Sequence, residues 1–170
     1  MYDRYLTICS FVRFSGIDPD YIPLTKQEIS NIMKKKEPII ISIGEYKIFI
    51  FHKRSNKYSH EQLHKLGEES KCIFIKSKWK KDHPKNATYL LDEHFECDIA
   101  PINLKYQHKR ITANDPNFDF HKLDPINFPK IIQGSILAIW MLLEEDDVLS
   151  TTMISENGKD PTYRFCVKSE

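Results

Sequence analysis

The chain has 170 residues, enough for one substantial hydrophobic core, and 41% of them are apolar, which excludes an intrinsically disordered protein. It has 5 glycines, no two of them close together, which excludes glycine-rich phosphate loops and the nucleophile elbow of serine hydrolases. The formal net charge is +1, but residues 1–85 carry 17 basic and 10 acidic side chains, whereas residues 86–170 carry 8 basic and 14 acidic ones. This charge asymmetry indicates a charged partner.

The four cysteines, Cys9, Cys72, Cys97 and Cys166, lie in apolar stretches and form no C-x-x-C pair. That pattern favours buried thiols in a reducing compartment over a disulfide framework or a zinc ribbon. The first residues lack the pattern of a signal peptide, and the longest apolar run, 136–143, is too short to cross a membrane. We therefore expect a cytoplasmic protein without a membrane segment.

The first predicted elements are a strand and a helix. Residues 3–14 are apolar on both faces and rich in aromatic and β-branched side chains, which favours a central strand. Thr25, followed three residues later by Glu28, forms a capping box that predicts the start of a helix ending before Pro38.

A hairpin and a second helix follow. The apolar runs 39–43 and 47–51 are separated by three residues that include a glycine, a spacing typical of a β-hairpin. Ser59, with Gln62 at the third helical position, predicts the start of a short helix that Gly67 ends.

Two further strands are predicted in the middle of the chain. Residues 72–79 form an apolar strand pattern. Residues 87–99 alternate, which places Asp92, His94 and Glu96 on the solvent face of a strand.

The last third combines a loop, a helix and a strand pair. Residues 108–125 have the composition of a loop, and residues 129–143 are apolar nearly all round, which predicts one long buried helix. Strands near 151–154 and 163–167 are expected to be joined at Asn157-Gly158. The fold class is therefore α+β, with a single domain over 1–170. We expect a mostly antiparallel, mixed sheet of six to eight strands packed by about three helices.

One short motif suggests a metal site. His60-Glu61-Gln62-Leu63-His64 is an H-E-x-x-H string, in which two histidines on one helix face share a zinc ion and the glutamate activates water. With Gly67 it resembles the first part of the metzincin signature, but this chain has Ser70 at the third histidine. The hypothetical zinc site therefore consists of His60, His64 and a third ligand, for which His94 is the first candidate and Glu96 the alternative, with Glu61 as the catalytic base. The alternative is an ordinary capped helix.

Residues 76–85 suggest a nucleic-acid site. Lys76, Lys78, Lys80 and Lys81 surround Trp79, a composition that can track phosphates and stack a base. The alternative is an edge strand whose lysines prevent sheet-to-sheet pairing.

Acidic residues suggest a docking surface for a protein. Glu144, Glu145, Asp146 and Asp147 end the predicted long helix, where carboxylates oppose the helix dipole. Together with Asp92 and Glu96 they could bind a basic protein such as a toxin or a nuclease. The alternative is a solubilising surface loop.

These patterns favour a small cytoplasmic binding protein that acts by protein–protein interaction, in the manner of immunity proteins and toxin inhibitors, by analogy of class. On this interpretation the protein is not an enzyme and needs no cofactor. The two alternatives are a small zinc-dependent hydrolase and a nucleic-acid-binding protein.

Overall fold

The computed structural model describes residues 1–79, 84, 86–112, 115–116, 118–119, 128–154 and 161–168. These residues contain helices, two β-sheets and the loops that connect them. Over these residues the chain is α+β, as predicted, with four α-helices and eight strands in two mixed four-stranded sheets. Its contacts divide the chain into two compact units, Met1–Asp98 (unit 1) and Ile99–Glu170 (unit 2). The single domain predicted over 1–170 stays a prediction.

Unit 1 begins with helix α1, Tyr2–Phe14, so the strand predicted there is wrong. Buried side chains recur at helical spacing along it, at Tyr5, Ile8, Cys9 and Val12. A segment that is apolar on most sides carries no clear period, and a buried helix then cannot be distinguished from a buried strand.

The two capped helices of unit 1 are confirmed. Helix α2, Lys26–Lys34, starts at the capping box formed by Thr25 and Glu28. Helix α3, His60–Glu69, starts at the capping box of Ser59 and Gln62. Gly67 does not end α3 but lies inside it, where a Cβ atom would come within 2.8 Å of the Asn86 side chain.

The sheet of unit 1 has the order β1-β2-β3-β4, formed by Ile39–Ile43, Tyr46–Ile50, Lys71–Lys76 and Thr88–Leu91. Strands β1 and β2 form the predicted antiparallel hairpin, whose turn contains Gly44 at a φ of 53°. Strands β2, β3 and β4 are parallel to one another, and α3 connects the first two. The carboxyl ends of three strands therefore meet at one edge of the sheet.

Both strands predicted in the middle of the chain are shorter than expected. Strand β3 ends at Lys76 rather than at residue 79, and β4 ends at Leu91. Residues Asp92–Phe95 instead form a 3-10 helix, in which the ring of Phe95 is buried and the Nδ1 atom of His94 accepts the Leu91 N–H at 3.3 Å. The predicted alternation of Asp92, His94 and Glu96 along a strand is therefore wrong.

Unit 2 contains a short 3-10 helix at Pro101–Asn103 and a sheet of order β5-β7-β8-β6. Its strands, in chain order, are Tyr106–Ile111, Lys130–Ile132, Val148–Met153 and Thr162–Val167. The pairs β5–β7 and β7–β8 are antiparallel, whereas β8–β6 is parallel. The two final strands are confirmed. The loop predicted over 108–125 is wrong for 108–111, which belong to β5, and most of the remainder lies outside the described residues, as does the predicted turn at 157–158.

The long buried helix predicted over 129–143 is wrong. The segment contains strand β6 and then helix α4, Ile136–Trp140. Ser135 caps α4 by accepting the Ala138 N–H at 3.4 Å, and Leu142 has a φ of 51°, which does not continue a right-handed helix. In the part of the chain that the structure describes, no helix is long and apolar enough to cross a membrane.

Candidate functional site

A cleft of about 950 Å³ lies in unit 1 at the carboxyl ends of the parallel strands. Residues that follow β2, β3 and β4 line it, and so do the first turn of α1 and one face of α2. Ligands of open α/β sheets commonly bind outside the carboxyl ends of parallel strands, because loops from several strands converge there. The position of the cleft in the sheet thus makes it the leading candidate site.

The lining of the cleft is strongly basic. Among the described residues, seven lysines and arginines line it, namely Arg4, Lys26, Lys34, Lys53, Arg54, Lys57 and Lys76. One carboxylate among the described residues also lines the cleft, that of Asp92. Positive charge collected in a concave surface attracts and concentrates anions. The arrangement is therefore suited to an anionic ligand.

Helix α2 presents one face to the cleft. Lys26, Ser30 and Lys34 recur every four residues, and Ile29 and Met33 lie beside them. Residues with this spacing share one side of a helix. The Thr25 capping box fixes where α2 starts. It thereby fixes which face of the helix carries Lys26 and Lys34 to the cleft wall.

A tight turn after β2 presents two more cations. The Ser55 N–H donates to the His52 carbonyl at 2.9 Å, and the His52 N–H donates to Ser55 Oγ at 2.9 Å. Lys53 and Arg54 occupy the two central positions of this turn and are exposed. Their backbone is therefore held in place before any ligand binds.

The His52 ring fastens this turn to the end of α2. Its Nδ1 atom accepts the Arg54 N–H at 3.2 Å, so its Nε2 atom donates to the Glu37 carbonyl at 2.9 Å. The Asn56 N–H donates to the Lys36 carbonyl at 2.7 Å. These bonds join two cleft walls that are distant in sequence, which assigns His52 a positioning role.

The one lining carboxylate is already paired. Asp92 forms a salt bridge with Arg4, and the two side chains are 16% and 35% exposed. The acid therefore neutralises and orients a cation of α1. Among the described residues, none of the other lining lysines and arginines forms a salt bridge with a carboxylate.

The predicted lysine–tryptophan site is divided by the structure. Lys76 lines the cleft, with its ammonium group 5.4 Å from the centroid of the Trp79 ring. The Trp79 indole donates to the Leu90 carbonyl at 2.9 Å and packs edge-on against Phe51 and Tyr89, so it serves the core of unit 1. Lys78 is exposed but does not line the cleft. Lys80 and Lys81 lie outside the described residues.

The H-E-x-x-H string lies on the surface of α3. His60 and Glu61 are exposed at the start of the helix, and the Nδ1 atom of His64 lies 3.3 Å from a carboxylate oxygen of Glu68. His94 belongs to the 3-10 helix, where burial lowers its pKa. Nowhere among the described residues do three histidine, cysteine or acidic side chains come together as a metal site would require. The geometry thus offers no support for the zinc hydrolase.

The acidic run of unit 2 is largely engaged within that unit. Asp147 is buried, with its Oδ2 atom 2.7 Å from Arg110 Nε and 2.7 Å from the Glu144 N–H that donates to it. Glu145 pairs with Lys168, and a Glu144 oxygen lies 3.4 Å from the Arg110 guanidinium. Asp146 is exposed, and in unit 1 so is Glu96. Most of the predicted docking carboxylates therefore have a structural partner.

The four cysteines are free thiols. Cys9, Cys72 and Cys166 are buried, whereas Cys97 is exposed, against the expectation that all four are buried. Burial raises the pKa of the Cys9 and Cys166 thiols to about 11, so both stay protonated and unreactive at neutral pH. The buried cysteines thus act as small apolar core residues.

Most of the residues that line the cleft were not predicted as site residues from the sequence. A usable signal was the segment 52–57, which places Lys53, Arg54 and Lys57 directly after a predicted strand. No comparable signal marks Arg4, Lys26 or Lys34. They line the same cleft as Lys53, Arg54 and Lys57 only because the fold brings α1 and α2 to the carboxyl ends of the parallel strands. No protein-family model matches the chain, and no curated protein matches its sequence.

Proposed function

We propose that this protein binds nucleic acid through the basic cleft of unit 1. The single observation that carries the proposal is that, in the described part of the chain, seven lysines and arginines line one cleft together with one acid, Asp92, which is already paired with Arg4. Phosphate groups supply closely spaced negative charges, and contacts to them account for most of the affinity of nonspecific nucleic-acid binding.

The composition of the cleft supports a phosphate backbone over other anions. The cations that line the cleft come from four segments of the chain, so a ligand with several anionic groups would satisfy more of them than a single carboxylate would. Two of them are arginines, whose planar guanidinium groups fit phosphate oxygens in pairs.

Docking of a basic protein on the acidic run stays a prediction and has less support. A docking surface needs accessible carboxylates, but Asp147 is only 3% exposed and Glu145 is paired with Lys168. Arg110 and Lys168 also reduce the negative potential that would attract a basic partner.

The proposal is tested by measuring how a fluorescently labelled single-stranded oligonucleotide binds at low salt, by anisotropy. We expect a Kd on the order of 1–100 µM for the unmodified protein. The double variant Lys53→Ala/Arg54→Ala removes two exposed cations of the cleft. It should bind roughly tenfold more weakly, because charge-assisted contacts to phosphate are lost.

The matched control removes the same charge elsewhere. Lys65 on α3 and Lys109 on β5 are exposed and do not line the cleft. The variant Lys65→Ala/Lys109→Ala should therefore bind nearly as well as the unmodified protein. Equal loss in both double variants would show that net charge alone governs binding and would contradict a site in the cleft.

A further inference from the structure

The cleft is not lined by charge alone. Tyr2, Ile29, Met33 and Phe51 line it together with the cations, so the lining is partly apolar. Tyr2 and Met33 are half-buried, whereas Ile29 and Phe51 are buried. A site built only for phosphate would gain nothing from an aromatic and aliphatic surface, whereas a nucleotide presents both a phosphate and a flat apolar base.

From this arrangement we infer that the cleft takes single-stranded nucleic acid and that the Tyr2 ring stacks against one of its bases. The inference rests on the proposed function and deepens it. Single-stranded bases are free to enter a concave site, where a positively charged groove follows the backbone and aromatic rings stack on the bases.

A duplex fits this cleft poorly. Duplex DNA is read by an element that protrudes into a groove, usually a helix or a β-ribbon. Here the cations line a concave cleft of about 950 Å³. Bases paired inside a duplex cannot stack on a ring in such a cleft unless they leave the helical stack.

Tyr2 is held ready for stacking. Its ring lies 6.2 Å from the ring of Tyr5, at an interplanar angle of 27°. Tyr5 is fully buried, and its hydroxyl accepts the Leu24 N–H at 2.8 Å and lies 3.1 Å from the Tyr21 hydroxyl. A base stacked on Tyr2 would therefore rest on a ring that is itself supported by a buried, hydrogen-bonded ring, which lowers the entropy cost of binding.

The cations beside Tyr2 suit this geometry. Arg4 lies two residues further along α1 and is oriented by Asp92. Lys34 and Met33, which belong to α2, line the same cleft. A nucleotide whose base contacts Tyr2 would thus occupy a cleft that also contains cations of α1 and α2 for its phosphates.

The experiment compares three labelled oligonucleotides of equal length on the full chain at low salt: oligothymidine, the same backbone with abasic sites throughout, and a blunt duplex. The unmodified protein should bind oligothymidine about tenfold more tightly than the abasic strand, as expected for one stacked base, and more tightly than the duplex. Equal affinity for the abasic strand and oligothymidine would overturn the inference and leave the proposed function standing. Preference for the duplex would overturn it too.

Variants of Tyr2 test the residue itself. Tyr2→Ala should lower the affinity for oligothymidine about tenfold and leave the affinity for the abasic strand unchanged, whereas Tyr2→Phe should retain both affinities. The control is Tyr46→Ala, because Tyr46 is also half-buried but lies at the amino end of β2, outside the cleft lining. Equal losses for Tyr2→Ala on the two strands would overturn the stacking role. Failure of the unmodified protein to bind any of the three would contradict the proposed function itself.

Discussion

Lys36 shows how one residue bears strain at the edge of the candidate site. It follows the C-cap of α2, Lys35, and has a φ of 60°, in the left-handed region where glycine is the usual residue. Its N–H donates to the Met33 carbonyl at 3.2 Å, and its carbonyl accepts the Asn56 N–H at 2.7 Å. The strained backbone therefore ends the helix and holds the basic turn.

Replacing this lysine by glycine should stabilise the protein. Lys36→Gly should raise the free energy of unfolding by about 0.5–1 kcal/mol, because the left-handed conformation no longer carries a steric cost. Lys35→Gly is the matched control, since Lys35 has a φ of −76° and gains no such relief. Urea unfolding of both variants measures the difference, and a loss of stability in Lys36→Gly equal to that in Lys35→Gly would contradict the explanation.

Asp147 is a second residue whose role depends on burial. Its carboxylate is 2.7 Å from Arg110 Nε and is only 4% exposed, whereas the neighbouring Glu145 pairs with Lys168 where both side chains are well exposed. Breaking a buried pair leaves a charge without its partner, but breaking an exposed pair only returns two charges to water.

We therefore expect unequal costs within one acidic run. Asp147→Ala should lower the free energy of unfolding by about 3 kcal/mol, and Glu145→Ala by less than about 1 kcal/mol. Chemical denaturation of the two variants tests this difference. Similar costs would mean that the Asp147–Arg110 pair does not stabilise unit 2.

At the scale of elements, local hydrogen bonding decides what can be predicted. The capped helices α2 and α3 were predicted because a capping box is made by four consecutive residues. Helix α1 and the segment 129–143 were predicted wrongly, because segments that are apolar all round lack the period that separates helix from strand. The cleft could not be predicted, since its walls come from segments that only the parallel order of β2, β3 and β4 brings together.

The cap of α2 connects stability to the site. Thr25 Oγ1 accepts the Glu28 N–H at 3.3 Å, and Glu28 Oε2 accepts the Thr25 N–H at 2.7 Å. Thr25→Ala should therefore lower the free energy of unfolding by about 1 kcal/mol. Thermal or urea unfolding measures the loss. Thr25→Ser should retain most of the stability, and a Thr25→Ser variant as unstable as Thr25→Ala would argue against a capping role.

Strands β5 and β7 carry a pH-dependent contact. His108 lies opposite Thr151, 3.0 Å from its hydroxyl, and burial together with the nearby Arg164 lowers the pKa of His108. The unfolded chain then takes up a proton at His108 more readily than the folded chain. The stability that neutral His108 contributes to the folded state is therefore present above about pH 6.5 and is lost as the pH falls.

The unmodified protein should therefore lose more stability between pH 7.5 and pH 5.5 than His108→Gln does. Urea midpoints at the two pH values measure the comparison. The other six histidines are the same in both proteins, so the difference between the two losses reports on His108. An equal loss in both proteins would contradict the assignment.

At the scale of the whole molecule, the charge asymmetry acquires a structural explanation. Of the 17 lysines and arginines in residues 1–85, seven line one cleft of the described part of the chain, so a large share of this positive charge faces a single concave surface. The negative charge of residues 86–170 is partly neutralised within unit 2 by Arg110 and Lys168. The positive cleft is therefore the feature most able to recruit a charged partner.

If several cations of one cleft contact phosphates at the same time, the Kd for a single strand should depend steeply on salt concentration. For a single strand, the slope of log Kd against log salt rises by about 0.7 for each phosphate contact. If at least five of the seven lining cations make such contacts, the slope should be roughly 3 or more.

The double variant Lys53→Ala/Arg54→Ala should lower that slope by roughly 1.4, and the control Lys65→Ala/Lys109→Ala should leave it unchanged. This is the result that the account predicts. A slope near zero for the unmodified protein, or the same slope for the cleft variant and the unmodified protein, would contradict it.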